Sequence, residues 1–197
     1  MTLSALALAS LSTASALVFG VADQSLDSPK QTAEVGLAVD MRPITVIAVR
    51  HAEKGDDDPR DPGLSAAGEL RSQQLAAMLL PSGVTHIFST GYRRTQSTVA
   101  PLATATGIEI VTYDPSELGA LAATLAALPA GSIAVVSGHS NTTPGMVVAL
   151  GASVSNLTTF RGMDVLAETE YSRLFLVTIP HAKSKSPVTS LELSYGE

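Results

Sequence analysis

Two histidines and two arginines, far apart in the sequence, have the side chains needed to bind and attack a phosphate group. Arg50 and His51 directly follow the apolar run 45–49, and Arg94 and His139 each follow a later apolar run. A guanidinium matches tetrahedral oxyanions and keeps its charge at any working pH. Nearby arginines lower the pKa of an imidazole, and a neutral imidazole can attack phosphorus to form a phosphohistidine. These residue types therefore indicate phosphoryl chemistry.

Alternating strand-like and helix-like segments would bring these side chains together. Apolar, β-branched runs predict strands at 44–49, 85–89, 108–112 and 132–137. Helical patterns lie between them, the first opened by a Ser65 N-cap and stopped by Pro81. This order predicts an α/β fold with a mostly parallel central sheet. Because the carboxyl ends of parallel strands form binding sites, the four side chains are expected to converge there.

The C-terminal third departs from this alternation. Residues 156–170 read as irregular, and two strands are predicted at 173–179 and 188–195, joined by a polar connection. We expect them to add an antiparallel hairpin at one edge of the sheet, which makes the whole a three-layer sandwich flanked by helices. Pro101 falls inside the helix predicted at 93–105 and is expected to kink or split it.

The composition excludes several classes of protein. The chain has 197 residues, a net charge of −6 and 45% hydrophobic residues, which suits one domain with a real core and argues against nucleic-acid binding. With no cysteine, thiolate metal sites and cysteine nucleophiles are excluded, and we expect neither a metal nor another cofactor.

The N-terminus has a different composition from the rest. Residues 1–22 carry no charged side chain and resemble a signal peptide with small-residue cleavage sites, although no basic residue precedes the apolar run. We expect residues 1–22 to be a signal peptide, 23–42 a linker or arm, and 43–197 the functional domain. The protein is then exported to the periplasm or secreted, and cytoplasmic if the segment is retained. Ser and Thr interrupt the run too often for a stable membrane span.

Four segments resemble motifs of the histidine phosphatase superfamily, in its phosphoglycerate-mutase-like branch 1. Residues 49–54 (VRHAEK) resemble its Arg-His-Gly signature with alanine at the glycine, and residues 64–68 (LSAAG) resemble its Leu-Ser/Thr-x-x-Gly. Residues 88–98 (FSTGYRRTQST) and 136–141 (VSGHSN) are similar to its arginine and second-histidine segments. The motifs occur in family order over residues 44–151. Their residues resemble those of a small bacterial Arg-His-Ala-Glu-Lys subgroup.

The resemblance implies a role for each of the four residues. His51 corresponds to the phosphoacceptor, and Arg50, Arg94 and His139 to the groups that bind the phosphoryl group. Arg94 aligns with the family arginine better than Arg93. The implied activity is metal-independent hydrolysis of phosphomonoesters or phosphohistidine, with a phosphorylated small molecule or a phosphoprotein as the partner.

Three roles around these residues stay open. The family's proton donor lies between the arginine and the second histidine, where Glu117 and Asp114 are the candidates, although both also suit a solvated helix start. Ser140 and Asn141 either cap the following helix or donate hydrogen bonds to phosphate.

Other functions remain alternatives. A phospho-ligand binding module of the same fold would keep the pocket without turnover. A serine hydrolase would use Ser140 in a near nucleophile elbow with Asp164 and His181, but Thr142 occupies the second glycine position. A zinc hydrolase would use three histidines that no carboxylate motif accompanies, namely His51, His86 and His139.

Overall fold

The computed structural model describes residues 40–196. The predicted signal peptide, and the predicted linker up to residue 39, lie outside the described residues. No helix in the described part is long and apolar enough to cross a membrane. In chain order the elements are β1 (Ile44–Arg50), α1 (Ala66–Leu79), a short 3-10 helix (Leu80–Ser82), β2 (His86–Ser89), α2 (Arg93–Thr106), β3 (Ile110–Thr112), α3 (Leu118–Ala126), β4 (Ile133–Gly138), α4 (Thr142–Ala149), β5 (Thr158–Phe160), β6 (Met163–Val165), β7 (Arg173–Ile179) and β8 (Thr189–Ser194).

Six strands form the central sheet in the order β3-β2-β4-β1-β7-β8. The first four are mutually parallel, and β7 and β8 continue the sheet as an antiparallel hairpin. In this register Arg50 lies opposite Gly138, and Ser89 opposite Ser137. The predicted α/β class, with a mostly parallel sheet and a hairpin at one edge, is confirmed.

Each face of the sheet carries its own apolar core. On one face the side chains of Val46 and Ala48 pack with apolar residues of α3 and α4. On the other, Ile47 and Val49 pack with residues of α1 and α2. Strand β1 is thus covered on both sides, which explains its uninterrupted apolar run. The result is the three-layer sandwich that the sequence predicts.

Helix α1 begins where its sequence predicts, and its start is fitted to the loop after β1. Ser65 caps the helix, its Oγ accepting a hydrogen bond of 3.2 Å from the backbone N of Gly68. A Cβ added at Gly68 would lie 2.2 Å from the carbonyl oxygen of Glu53. Only glycine allows the helix to approach the loop this closely, which explains the Leu-Ser-x-x-Gly motif.

Two expectations about the elements are corrected. Helix α2 does not split at Pro101 but runs unbroken from Arg93 to Thr106. Val99 and Leu102 on either side of the proline are fully buried, so packing outweighs the lost backbone donor. Residues 156–170 are not wholly irregular, since β5 and β6 pair across a tight turn. Both turn residues, Arg161 and Gly162, have positive φ, and the arginine gave no turn signal.

Replacing Gly68 with alanine should lower the free energy of unfolding by about 1–3 kcal/mol, because the new methyl group forces helix α1 away from the loop. Gly119→Ala in α3 is the matched control. A Cβ at Gly119 meets no described atom within 4 Å, so that change should stabilise by about 0.5–1 kcal/mol. Urea unfolding measures both, and equal effects at the two glycines would contradict the close approach.

Candidate active site

The four predicted residues lie in one pocket at the carboxyl ends of the parallel strands. Arg50 ends β1 and His51 follows it, His139 follows β4, and Arg94 lies in the first turn of α2 after β2. Because these three strands are neighbours in the sheet, their ends meet, and all four side chains line a cavity of about 900 Å³. Ser140 and Asn141 line the same cavity.

His51 is held as a neutral imidazole with a defined orientation. Its Nδ1 lies 2.7 Å from the carbonyl oxygen of Ala52. A carbonyl only accepts, so Nδ1 carries the proton and Nε2 is left with its lone pair. Burial first, and then the charges of Arg50 and Arg94, lower the pKa of His51 to about 3. The ring is therefore unprotonated at Nε2 near neutral pH, as a nucleophile must be.

His139 faces His51 across the pocket. The two ring centroids are 5.5 Å apart in an edge-to-face arrangement. Its Nδ1 lies 3.4 Å from Nη2 of Arg94, and its Nε2 lies 3.1 Å from the hydroxyl of Thr90. Burial, followed by the charges of Arg94 and Arg50, lowers the pKa of His139 to about 4. This imidazole is also neutral near pH 7.

Arg50 is buried, and backbone carbonyls fix its guanidinium. Its Nη1 donates to the carbonyl oxygens of Ala167, Glu168 and Glu170 at 2.8, 3.1 and 3.0 Å. The ring of Tyr171 covers the guanidinium at 4.3 Å. Its buried Nε has no hydrogen-bond partner within residues 40–196. A charged donor held in place with an unused N–H suits the oxygens of a phosphoryl group.

Arg94 lines the pocket, whereas its neighbour Arg93 does not. The guanidinium of Arg94 lies 3.6 Å from the carboxylate of Asp61 and 4.5 Å from the ring centre of Tyr92. Its buried Nε likewise has no hydrogen-bond partner in the described chain. Arg93 instead binds the carboxylate of Asp57 at 2.9 Å and holds the loop after β1.

The two carboxylates expected as proton donors are not among the pocket-lining residues. Asp114 accepts hydrogen bonds from the N–H and hydroxyl of Ser116, which lower its pKa, and Glu117 is exposed at the start of α3. Asp114 therefore takes part in the turn that precedes α3, which begins at Leu118. Pro115 and Ser116 between them do line the cavity.

Sequence reasoning missed three groups at the pocket. Glu168 lines it and accepts from Lys54 at 3.0 Å and from Arg50 at 3.4 Å. The hydroxyl of Thr98 accepts from the backbone N of Ala52 at 2.9 Å and donates to the carbonyl of Arg94, and so joins the segment of His51 to the segment of Arg94. Thr90 contacts His139. The threonines lie inside a motif already recognised, but Glu168 follows a segment without any motif.

The structure does not support the alternative role of Ser140 as the nucleophile of a serine hydrolase. Its pocket is lined by neither Asp164 nor His181, the residues that a serine hydrolase would need. Asn141 occupies the N-cap position of α4, but its side chain makes no capping hydrogen bond. Among residues 40–196, no group of three or more His, Asp or Glu side chains could hold a metal ion.

Comparisons with known proteins agree with the motifs. Residues 46–115 match the family model of the histidine phosphatase superfamily, branch 1. No curated protein matches by sequence. Among solved structures, the protein histidine phosphatase SixA complexed with tungstate is 17% identical with a TM-score of 0.59, over 76% of this chain and 96% of that one. Mycobacterial hydrolase 2 (13%, 0.56, 79% and 91%) and Bacillus stearothermophilus YhfR (10%, 0.54, 72% and 96%) are also similar.

The described part of the chain has the α/β fold of the histidine phosphatases. The family match and the arrangement of the motifs confirm the resemblance to the histidine phosphatase superfamily, branch 1. At 10–17% identity the solved structures show the shared fold. The family match supports a phosphatase.

Protein stability should fall on acidification because of the two pocket histidines. Their folded pKa values of about 3 and about 4 lie below the ordinary 6.5, so the unfolded chain binds more protons below about pH 6.5. His51 is expected to contribute a loss of roughly 2 kcal/mol between pH 7 and pH 5. Between pH 7 and pH 5, the free energy of unfolding of His51→Gln should therefore fall by about 2 kcal/mol less than that of the wild type, as measured by urea unfolding at the two pH values. Equal losses would contradict the neutral, buried His51.

Proposed function

We propose that the protein is a metal-independent phosphatase that acts through a phosphohistidine on His51. The observation that carries this proposal is the hydrogen bond from Nδ1–H of His51 to the Ala52 carbonyl, which leaves the Nε2 lone pair available beside the buried Arg50 and the half-buried Arg94. A nucleophile and fixed cations in one pocket are what transfer of a phosphoryl group requires.

The reaction would proceed in two displacements at phosphorus. In the first, Nε2 of His51 forms a bond to phosphorus while the bond to the leaving group breaks. In the second, water attacks phosphorus, the Nε2–P bond breaks and inorganic phosphate is released. Arg50 and Arg94 would bind the equatorial oxygens in both steps, with His139 beside them, and stabilise the charge that they carry in the transition state.

The substrate that we propose is a phosphohistidine side chain or a small phosphomonoester. A carboxylate donor is less important for a leaving group that departs readily, such as the imidazole of phosphohistidine. The positions of Asp114 and Glu117 outside the pocket lining favour such a substrate. The structurally similar SixA is named a protein histidine phosphatase, which agrees with this choice.

Replacing His51 with asparagine should abolish hydrolysis of p-nitrophenyl phosphate and of phosphohistidine. Wild-type protein incubated with a labelled phosphodonor and quenched should carry an acid-labile label on His51, located by mass spectrometry, and the variant should carry none. His86→Asn is the matched control, because His86 is half-buried in β2 outside the pocket lining. Turnover that survives in His51→Asn would contradict the proposed nucleophile. A wild-type protein that binds phosphate analogues without turnover would instead be a phospho-ligand binding module.

Adjacent arginines offer a second matched pair. Arg94→Lys should lower kcat/KM for p-nitrophenyl phosphate about 100-fold, because an ammonium lacks the planar fork with which a guanidinium donates two parallel N–H groups to phosphoryl oxygens. Arg93→Lys should stay within about threefold of wild type, since Arg93 binds the loop rather than the pocket. Steady-state kinetics measures both, and equal losses at the two positions would contradict the assignment of Arg94.

A further inference from the structure

A buried chain of hydroxyl groups lies behind His139, and phosphate binding alone does not explain it. The Nε2 of His139 is 3.1 Å from Thr90 Oγ1, which is 2.7 Å from Thr95 Oγ1. Thr95 Oγ1 in turn lies 2.8 Å from the backbone carbonyl of Tyr92. Both threonines have no exposed surface. The chain therefore runs from the pocket to a backbone carbonyl at the start of helix α2.

The chemistry at its two ends fixes the direction of every hydrogen bond. Arg94 can only donate, so the Nδ1 of His139 accepts from it and the ring proton is on Nε2. Nε2–H then donates to Thr90, whose hydroxyl donates to Thr95. The Thr95 hydroxyl donates to the Tyr92 carbonyl, which can only accept. All the donors in the chain are satisfied in this one arrangement.

This arrangement decides which nitrogen of His139 faces the arginines. A hydroxyl can donate as well as accept, so Thr90 by itself would tolerate either tautomer of the imidazole. The Thr95 hydroxyl donates its own proton to the Tyr92 carbonyl, so it accepts the proton of Thr90. Thr90 then has no proton left to donate to His139 and can only accept from Nε2–H. The rings of Tyr92 and His139 pack edge to face with 5.0 Å between centroids, and this contact restricts the plane of the imidazole.

We propose that Thr90 is a positioning residue that holds His139 as its Nε2–H tautomer, so that Nδ1 faces Arg94 and takes up a proton when a phosphoryl group binds. The proposal rests on the proposed function only in taking the ligand of the pocket to be a phosphoryl group or an equivalent tetrahedral dianion.

Proton uptake follows from the charges that face His139. These are Arg94 from α2, Arg50 and the neutral His51 from the end of β1, and Asp61 from the loop after β1. Without a ligand, burial and then the charges of the two arginines favour the neutral ring. A bound dianion offsets the positive charges of both arginines, which raises the pKa of His139. An oxygen of the dianion would also be repelled by the lone pair of Nδ1 unless that nitrogen gained a proton. The protonated ring instead donates a charge-assisted hydrogen bond to the dianion.

The tautomer can be observed without turnover. Long-range ¹H–¹⁵N spectra of the imidazoles should show His139 protonated at Nε2 in the wild type and in Thr90→Ser, which keeps the hydroxyl. Thr90→Val, which has nearly the same shape, should show a mixture of tautomers. Thr106→Val is the matched control, because within residues 40–196 the hydroxyl of Thr106 bonds only backbone groups, at the C-terminal end of α2. It should leave the spectrum of His139 unchanged.

Proton uptake can be measured with tungstate, a tetrahedral dianion that does not itself titrate near neutral pH. Calorimetry at pH 7 in two buffers of different ionisation enthalpy should show uptake of up to one proton per tungstate bound by the wild type. Thr90→Val should bind tungstate about tenfold more weakly, since it loses an oriented donor to a charged ligand, and should take up fewer protons. Thr90→Ser should restore both values.

A His139 protonated at Nδ1 in wild-type protein would overturn the proposal, whether or not any variant folds. A folded Thr90→Val with the wild-type tautomer and wild-type proton uptake would also overturn it. Because neither measurement involves hydrolysis, an inactive His51 would leave both results intact, so failure of the proposed function is distinguishable from failure of this inference.

Discussion

The buried guanidinium of Arg50 is the constraint on which the pocket depends. A charge removed from water costs several kcal/mol unless hydrogen bonds replace its hydration. Here three backbone carbonyls of residues 167–170 accept from one of its nitrogens, so the chain after β6 has to pass over the end of β1. The backbone N of Leu166 donates to the Ser140 carbonyl at 2.8 Å and joins the same segment to the loop of the second histidine.

The loop after His51 is fixed from the opposite side. The carboxylate of Glu53 receives two hydrogen bonds from Nε of Arg71 and one from its Nη2, and Nη1 of the same arginine donates to the Tyr195 carbonyl. Helix α1 and the C-terminal residues therefore hold the loop that carries Ala52, whose carbonyl orients the imidazole of His51. The orientation of the His51 imidazole thus depends on contacts far along the chain, and not on the Arg-His motif alone.

The parallel half of the fold could be predicted because its signals are local. The apolar runs at β1 and β4 and the Ser65 cap each have a single physical interpretation. The order of the strands in the sheet then brings Arg50, Arg94 and His139 together. The β5–β6 hairpin could not be predicted, because its strands have three residues and its turn places an arginine at positive φ. Glu168 could not be predicted for a similar reason. It lies at the pocket because backbone carbonyls of its segment accept hydrogen bonds from Arg50, and a pattern of side chains does not predict backbone contacts.

The two histidines differ in tautomer, and the groups behind them explain why. The partner of His51 is a carbonyl, which only accepts, so one hydrogen bond is enough to leave Nε2 unprotonated. The partner of His139 is a hydroxyl, which can act either way, so a second hydroxyl and a carbonyl are needed to fix its direction. One ring therefore has an unprotonated Nε2, the nitrogen that the proposed mechanism uses, and the other has an unprotonated Nδ1 beside Arg94 that can accept a proton. Two residues of the same type acquire different chemistry from backbone and hydroxyl groups that a motif of histidines and arginines does not include.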